Sequence, residues 1–129
     1  PKRMYLQTLM LLLVTEFYTE RFIFINERKT WREAQSYCRE NHTDLASVRN
    51  QTENQQVWNE TKNVGIMTWI GLFNDPWKWS DKKNSSFRYW FPNQPDITDK
   101  CAAASVMDQS QWHDVNCNTS YPFICYESK

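Results

Sequence analysis

Between Arg21 and Asn26 the chain reads RFIFIN, with polar and apolar residues alternating around Phe22 and Phe24. That period of two predicts a first strand. Thr30-Trp31-Arg32-Glu33 follows and has the form of a capping box, with Thr30 as N-cap and Glu33 at the third helical position. Trp31, Ala34, Tyr37 and Cys38 then recur at helical spacing, so one apolar face of a helix is expected, with Cys38 turned inward. Leu45, Ala46 and Val48 carry the chain to a second helix. There Asn50 to Glu53 repeats the cap pattern, and Val57, Trp58 and Thr61 give a thin apolar stripe.

Beyond Gly65 the pattern changes. Trp69-Ile70-Gly71-Leu72-Phe73 is a short continuous apolar run, suited to a central strand. From Asn74 to Asp99 the chain is rich in Asn, Asp, Ser, Lys, Pro and Trp and has no helical period. Segments of this length without regular structure are functional or disordered. Phe73, Trp77, Trp79, Phe87, Tyr89, Trp90 and Phe91 argue that this one is anchored. Three short strands are expected after it, over Cys101–Met107, Gln111–Val115 and Phe123–Tyr126. Two helices followed by short strands and one long ordered loop make an α+β plan.

Composition narrows the function. The 129 residues fit one domain, and seven Trp, six Tyr and seven Phe against two Gly point to a core of large aromatics. Fifteen basic and fifteen acidic side chains cancel, and tight basic pairs such as Lys2-Arg3 and Lys82-Lys83 are too few for a binding stripe. A nucleic-acid partner needs an excess of Lys and Arg to displace counterions, so none is expected.

Cys38, Cys101, Cys117 and Cys125 form no CxxC pair, and His42 and His113 lie in no HExxH pattern, so zinc is disfavoured. Four cysteines read better as two disulfides in an oxidising compartment, and spacing alone leaves three connectivities open. Sequons begin at Asn41, Asn50, Asn59, Asn84 and Asn118. Eleven Asn, with 19 of 129 residues Ser or Thr, supply one or two such matches by chance, so five favour a glycoprotein of the secretory pathway. Lys2 and Arg3 precede the apolar run Met4 to Val14, which resembles a secretory signal and is too short to span a bilayer, a task for about 20 residues. Residues 1–19 are therefore set apart as a hydrophobic leader and 20–129 taken as the domain. The expected location is extracellular, as a secreted protein or the ectodomain of a membrane protein, with membrane attachment only through a parent chain.

Thr30-Trp31-x-Glu33-Ala34-x-x-x-Cys38, Asp44-Leu45-Ala46-Ser47-Val48, Trp69-Ile70-Gly71-Leu72, Gln94-Pro95-Asp96, Cys101, Trp112-x-Asp114, Cys117 and Phe123-Ile124-Cys125 stand in a recognisable order. Together they resemble the C-type lectin-like domain, as in vertebrate C-type lectins and macrophage mannose receptor-like domains, over about Glu20 to Glu127. The resemblance implies the α+β C-type lectin-like fold: two helices, small antiparallel sheets and a long ligand-binding loop. It implies the disulfides Cys38–Cys125 and Cys101–Cys117. No counterpart of the extra N-terminal pair of longer members is present, so the short form is expected.

The resemblance also implies one Ca2+ site, with Gln94, Asp96, Asp99 and Asp114 as ligands. Their amide and carboxylate oxygens suit a hard cation. A cis bond before Pro95 would turn Gln94 and Asp96 to the same side. Two vicinal sugar hydroxyls would complete the shell while the same ligand residues accept and donate hydrogen bonds to them. The Gln-Pro-Asp order resembles galactose-type sites, so the expected partners are glycans or glycoproteins, with Gln94, Asp96, Asp99, His113 and Asp114 at the sugar.

Three features depart from that pattern. His113 stands where the family usually has Asn, and imidazole nitrogen suits calcium poorly. Residues 97–100 are short and lack the Trp that stacks on galactose. Lys100 stands where an acidic ligand for an auxiliary ion often sits. The alternative is therefore a calcium-independent domain of the same fold that recognises a protein or other surface, its loop aromatics acting as anchors. Catalysis is not expected, because the cysteines have disulfide assignments and the paired carboxylates have a simpler role as ligands.

Overall fold

The computed structural model describes residues 21–64, 66–96 and 98–128, so the leader proposed at 1–19 lies outside the described residues. Among the described residues seven strands form a mixed sheet, accompanied by two α-helices and one 3-10 turn. Strand β1 (Arg21–Lys29) continues three residues past the alternating run, its register shifting between Ile25 and Lys29. Helix α1 (Trp31–Asn41) starts on the expected capping box: Thr30 Oγ1 accepts from the Glu33 N–H at 3.3 Å, and Glu33 Oε1 accepts from the Thr30 N–H at 3.0 Å. The Thr30 N–H holds the Glu33 carboxyl below its ordinary value. Trp31, Ala34 and Cys38 are buried on its inner face, while Tyr37 is half-buried.

Strand β2 (Asp44–Leu45) leads to helix α2 (Gln51–Thr61), capped by the Asn50 side chain, which accepts from the Glu53 N–H at 2.8 Å. The second cap differs from the first. Glu53 reaches past Asn50 to the Arg49 N–H at 2.7 Å and pairs with the Arg49 guanidinium at 2.8 Å. Strand β3 (Met67–Phe73) and the two-residue β4 (Lys78–Trp79) come next. The strand expected over Cys101–Met107 stops earlier. It is β5 (Cys101–Ser105), and Val106–Asp108 closes into a 3-10 turn before Gln109 and Ser110 take left-handed backbone. Strands β6 (Gln111–Val115) and β7 (Tyr121–Glu127) follow.

The sheet order is β1-β7-β3-β5-β6, with β2 also on β7 and β4 on β3. All pairings are antiparallel except β3 with β7, where Trp69 meets Phe123. The central strands bury both faces, which is why their sequence does not alternate. Trp69, Cys101, Ala103, Phe123 and Cys125 face one core with Trp31 and Leu45. Ile70, Leu72, Ala102, Ala104, Ile124 and Tyr126 face the other with Val57, Trp79 and Trp112. Each large side chain fully buried here contributes about 1.5–3 kcal/mol. Gly71 is required between the layers: a Cβ there would meet the Leu45 carbonyl oxygen at 2.9 Å and that of Ala46 at 3.0 Å.

The cysteines pair as the resemblance implied. Cys38–Cys125 ties α1 to β7, and Cys101–Cys117 joins β5 to the segment after β6. In the chain-entropy account the second closure, over a separation of 16 residues, contributes about 3 kcal/mol. A buried polar cluster fastens the start of the long segment to the base of the domain. Asp44 Oδ1 accepts from the Leu45 N–H and the Ser80 hydroxyl, each at 2.7 Å, and Oδ2 accepts from Arg39 Nε at 3.2 Å.

Candidate functional site

The long segment is held from beneath by aromatic packing. Trp79 is buried, and Trp77, Phe87, Tyr89 and Trp90 pack against the same core. Trp112 on β6 is the centre of this arrangement. Its indole N–H donates to Asn54 Oδ1 of α2 at 3.0 Å, and its ring makes edge contacts with Trp79, Phe87 and Trp90. Its backbone N–H donates to the Tyr89 carbonyl at 2.8 Å, and its carbonyl accepts from the Phe91 N–H at 2.9 Å. Residues 89–91 thus run beside β6.

Past this point the chain turns through Asn93 in left-handed backbone, where the Gln94 N–H donates to the Phe91 carbonyl at 2.9 Å. Asn tolerates that conformation better than most residues. The Gln94–Pro95 bond is cis, and the residues on both sides of Pro95 meet Asp114. Gln94 Oε1 accepts from the Asp114 N–H at 3.2 Å, and the Asp96 N–H donates to Asp114 Oδ1 at 3.1 Å. The Asp99 N–H donates to Asp114 Oδ2 at 3.3 Å. Asp114 therefore collects the loop through both carboxylate oxygens. It sits opposite Ala102 on the β5–β6 ladder, only 7% exposed.

Environment separates the two nearest carboxylates. Burial pushes the Asp114 carboxyl above its ordinary value, and the adjoining Asp96 side chain adds to the rise. Asp96 is exposed and lies below its ordinary value, first because the Thr98 hydroxyl donates to Oδ1 at 2.6 Å, then through the Thr98 N–H at 3.1 Å. Thr98 was missed in the sequence. The signal was present, because Asp-x-Thr is a turn pattern in which Asp bonds the backbone two residues on.

His113 is not part of this ring. Neighbouring residues of a strand face opposite sides, and next to the buried Asp114 the half-buried His113 stacks on Phe91 with ring centroids 4.8 Å apart. Its Nε2 lies 3.3 Å from Asp108 Oδ2, which also accepts from the Ser105 hydroxyl at 2.9 Å. No sequence signal pointed to Asp108 or to the Phe91 partnership. The structure thus brings the Gln94 side chain to the Asp114 backbone, brings the Asp96 and Asp99 backbone amides to the Asp114 carboxylate, and sets His113 apart.

The donors available to a cation are all oxygen, which fits calcium in kind. Among the described residues, however, no three or more His, Cys, Asp or Glu side chains stand close enough together to hold a metal ion. Asp96 and Asp99 lie on the loop and Asp114 on β6, and their three carboxylates do not form one cluster.

Residues 27–127 match the family model of the lectin C-type domain. The chain is 33% identical over 122 residues to C-type lectin domain family 4 member F of Mus musculus, covering 83% of this chain and 21% of that protein. It is 32% identical over 112 residues to asialoglycoprotein receptor 1 of Pongo abelii, covering 79% of this chain and 38% of that protein. The crystal structure of human lithostathine superimposes with a TM-score of 0.77 at 28% identity, covering 84% of this chain and 83% of the other. The chain belongs to the C-type lectin domain family. It spans well under half the length of these two curated relatives. Among the described residues no helix is long and apolar enough to cross a membrane.

Proposed function

We propose that residues 20–129 form an extracellular carbohydrate-recognition module that binds sugar hydroxyls with calcium at the loop around Asp114. The observation that carries this reading is the convergence of Gln94, Asp96 and Asp114 through hydrogen bonds of 3.1 and 3.2 Å, beside the cis Gln94–Pro95 bond. Gln94, Asp96, Asp99 and Asp114 are the residues that would hold the ion. Calcium, when bound, supplies coordination sites for two vicinal hydroxyls. The chain itself supplies acceptors in the carboxylates and a donor in the Gln94 amide. The Gln-Pro-Asp order and the relative named for asialoglycoprotein favour galactose-type glycans and glycoproteins as partners. No catalytic role is proposed.

A second reading is favoured by the absence, among the described residues, of a three-carboxylate cluster. In it Asp114 alone organises the loop, and the domain recognises a protein or other surface without calcium. Retention on immobilised galactose and mannose separates the two. Elution by EDTA and loss of retention in Asp96→Ala support the first; no retention on either sugar, or retention unchanged by both, supports the second.

A further inference from the structure

Four of the five sequons end in an exposed hydroxyl residue, Thr43, Thr52, Ser86 and Ser120, and one does not. Asn59 and Thr61 lie in the last turn of α2. An α-helix advances about 100° per residue, so positions two apart point to nearly opposite sides. Asn59 accordingly faces solvent while Thr61 is 0% exposed. The Thr61 hydroxyl is also occupied, donating to the Val57 carbonyl at 2.9 Å. A transferase that reads an Asn-x-Thr sequon needs the amide and the hydroxyl together on one accessible stretch of chain. Folded α2 offers the amide without the hydroxyl. Asn84 and Asn118, by contrast, stand exposed in irregular segments with their hydroxyl residues also exposed.

We infer that Asn59 is a glycosylation site open only before α2 folds, whereas Asn84 and Asn118 stay readable in the finished domain. In the reaction the Asn59 Nδ2 attacks the anomeric carbon of a lipid-pyrophosphate-linked oligosaccharide. A C–N bond forms, the C–O bond to the pyrophosphate breaks, and the amide loses one proton while the lipid pyrophosphate leaves. Once attached, the glycan is compatible with the fold, because the Asn59 side chain is exposed and its Oδ1 accepts only a long bond of 3.4 Å from Gln55 Nε2.

The test uses the unmodified full chain in two forms, folded with both disulfides formed, and reduced and alkylated so that it stays unfolded. Each is incubated with oligosaccharyltransferase and a lipid-pyrophosphate oligosaccharide, and occupancy at each Asn is mapped by mass spectrometry. The readout is the folded-to-unfolded occupancy ratio. For Asn59 it should fall at least tenfold below the ratio at Asn84 and Asn118. Equal ratios at the three sites, or an Asn59 left unmodified in the unfolded chain, overturn the inference.

Discussion

Asp114→Asn is the sharpest probe of how the loop is held. The substitution keeps the shape and one carbonyl oxygen but replaces the other oxygen with an NH2 group. Of the two backbone donors, Asp96 N–H at 3.1 Å and Asp99 N–H at 3.3 Å, one then faces another donor. A hydrogen bond to a charged group contributes about 1.5–3 kcal/mol. Asp96 is exposed and Asp99 half-buried, so water can receive the freed N–H, which puts the loss at the low end. Asn also escapes the burial that raises the Asp114 carboxyl, trimming the cost further. About 1.5 kcal/mol of local stability remains at stake, or roughly a tenfold change in an opening equilibrium. Amide hydrogen exchange followed by NMR should show about tenfold faster exchange at residue 96 or 99. The β5 amides, Ala102 to Ser105, should be unchanged. Protection within twofold of the parent at both loop positions would mean that Asp114 does not organise this segment.

Asp44→Ala orphans the buried Leu45 N–H and breaks the contacts to Ser80 and Arg39, so urea denaturation should show a loss of about 3 kcal/mol. The Glu33 carboxyl, held low by the Thr30 N–H, contributes stability that is complete above its unfolded value of about 4.3 and is lost as pH falls through the lower folded value. Melting temperature should therefore drop on acidification through that range, and the slope should be shallower in Glu33→Gln.

The sequence revealed most where a local rule coincided with the global fold. Thr30 and Glu33 announced α1 because capping satisfies orphan amides whatever packs nearby. Strand lengths were less legible: β3 and β7 each began two residues earlier than the apolar runs suggested, since backbone pairing continues through the buried Thr68 and Pro122 to the half-buried Met67 and Tyr121. The end of β5 was also hidden, because Val106 is buried like a strand residue yet turns into a 3-10 segment. At the loop, the resemblance pointed to Gln94, Asp96, Asp99 and Asp114, which the structure links by hydrogen bonds, but not to the division of labour among them. Asp114 acts as an acceptor for two distant backbone amides, a partnership that depends on three-dimensional turns rather than on spacing. His113 could be flagged as unusual, while its stacking on Phe91 required the parallel approach of residues 89–91 to β6.

Among the described residues β1 finds its only sheet partner in β7, and Cys38 waits for Cys125, 87 residues downstream. Helix α2 likewise buries Val57 in a core that includes Ile124 and Tyr126. A nascent chain emerging amino end first therefore cannot seal itself until its final strand has been synthesised. Throughout that interval the middle of the polypeptide stays open, and on the inference drawn above the order of manufacture itself gives Asn59 its chance to be decorated.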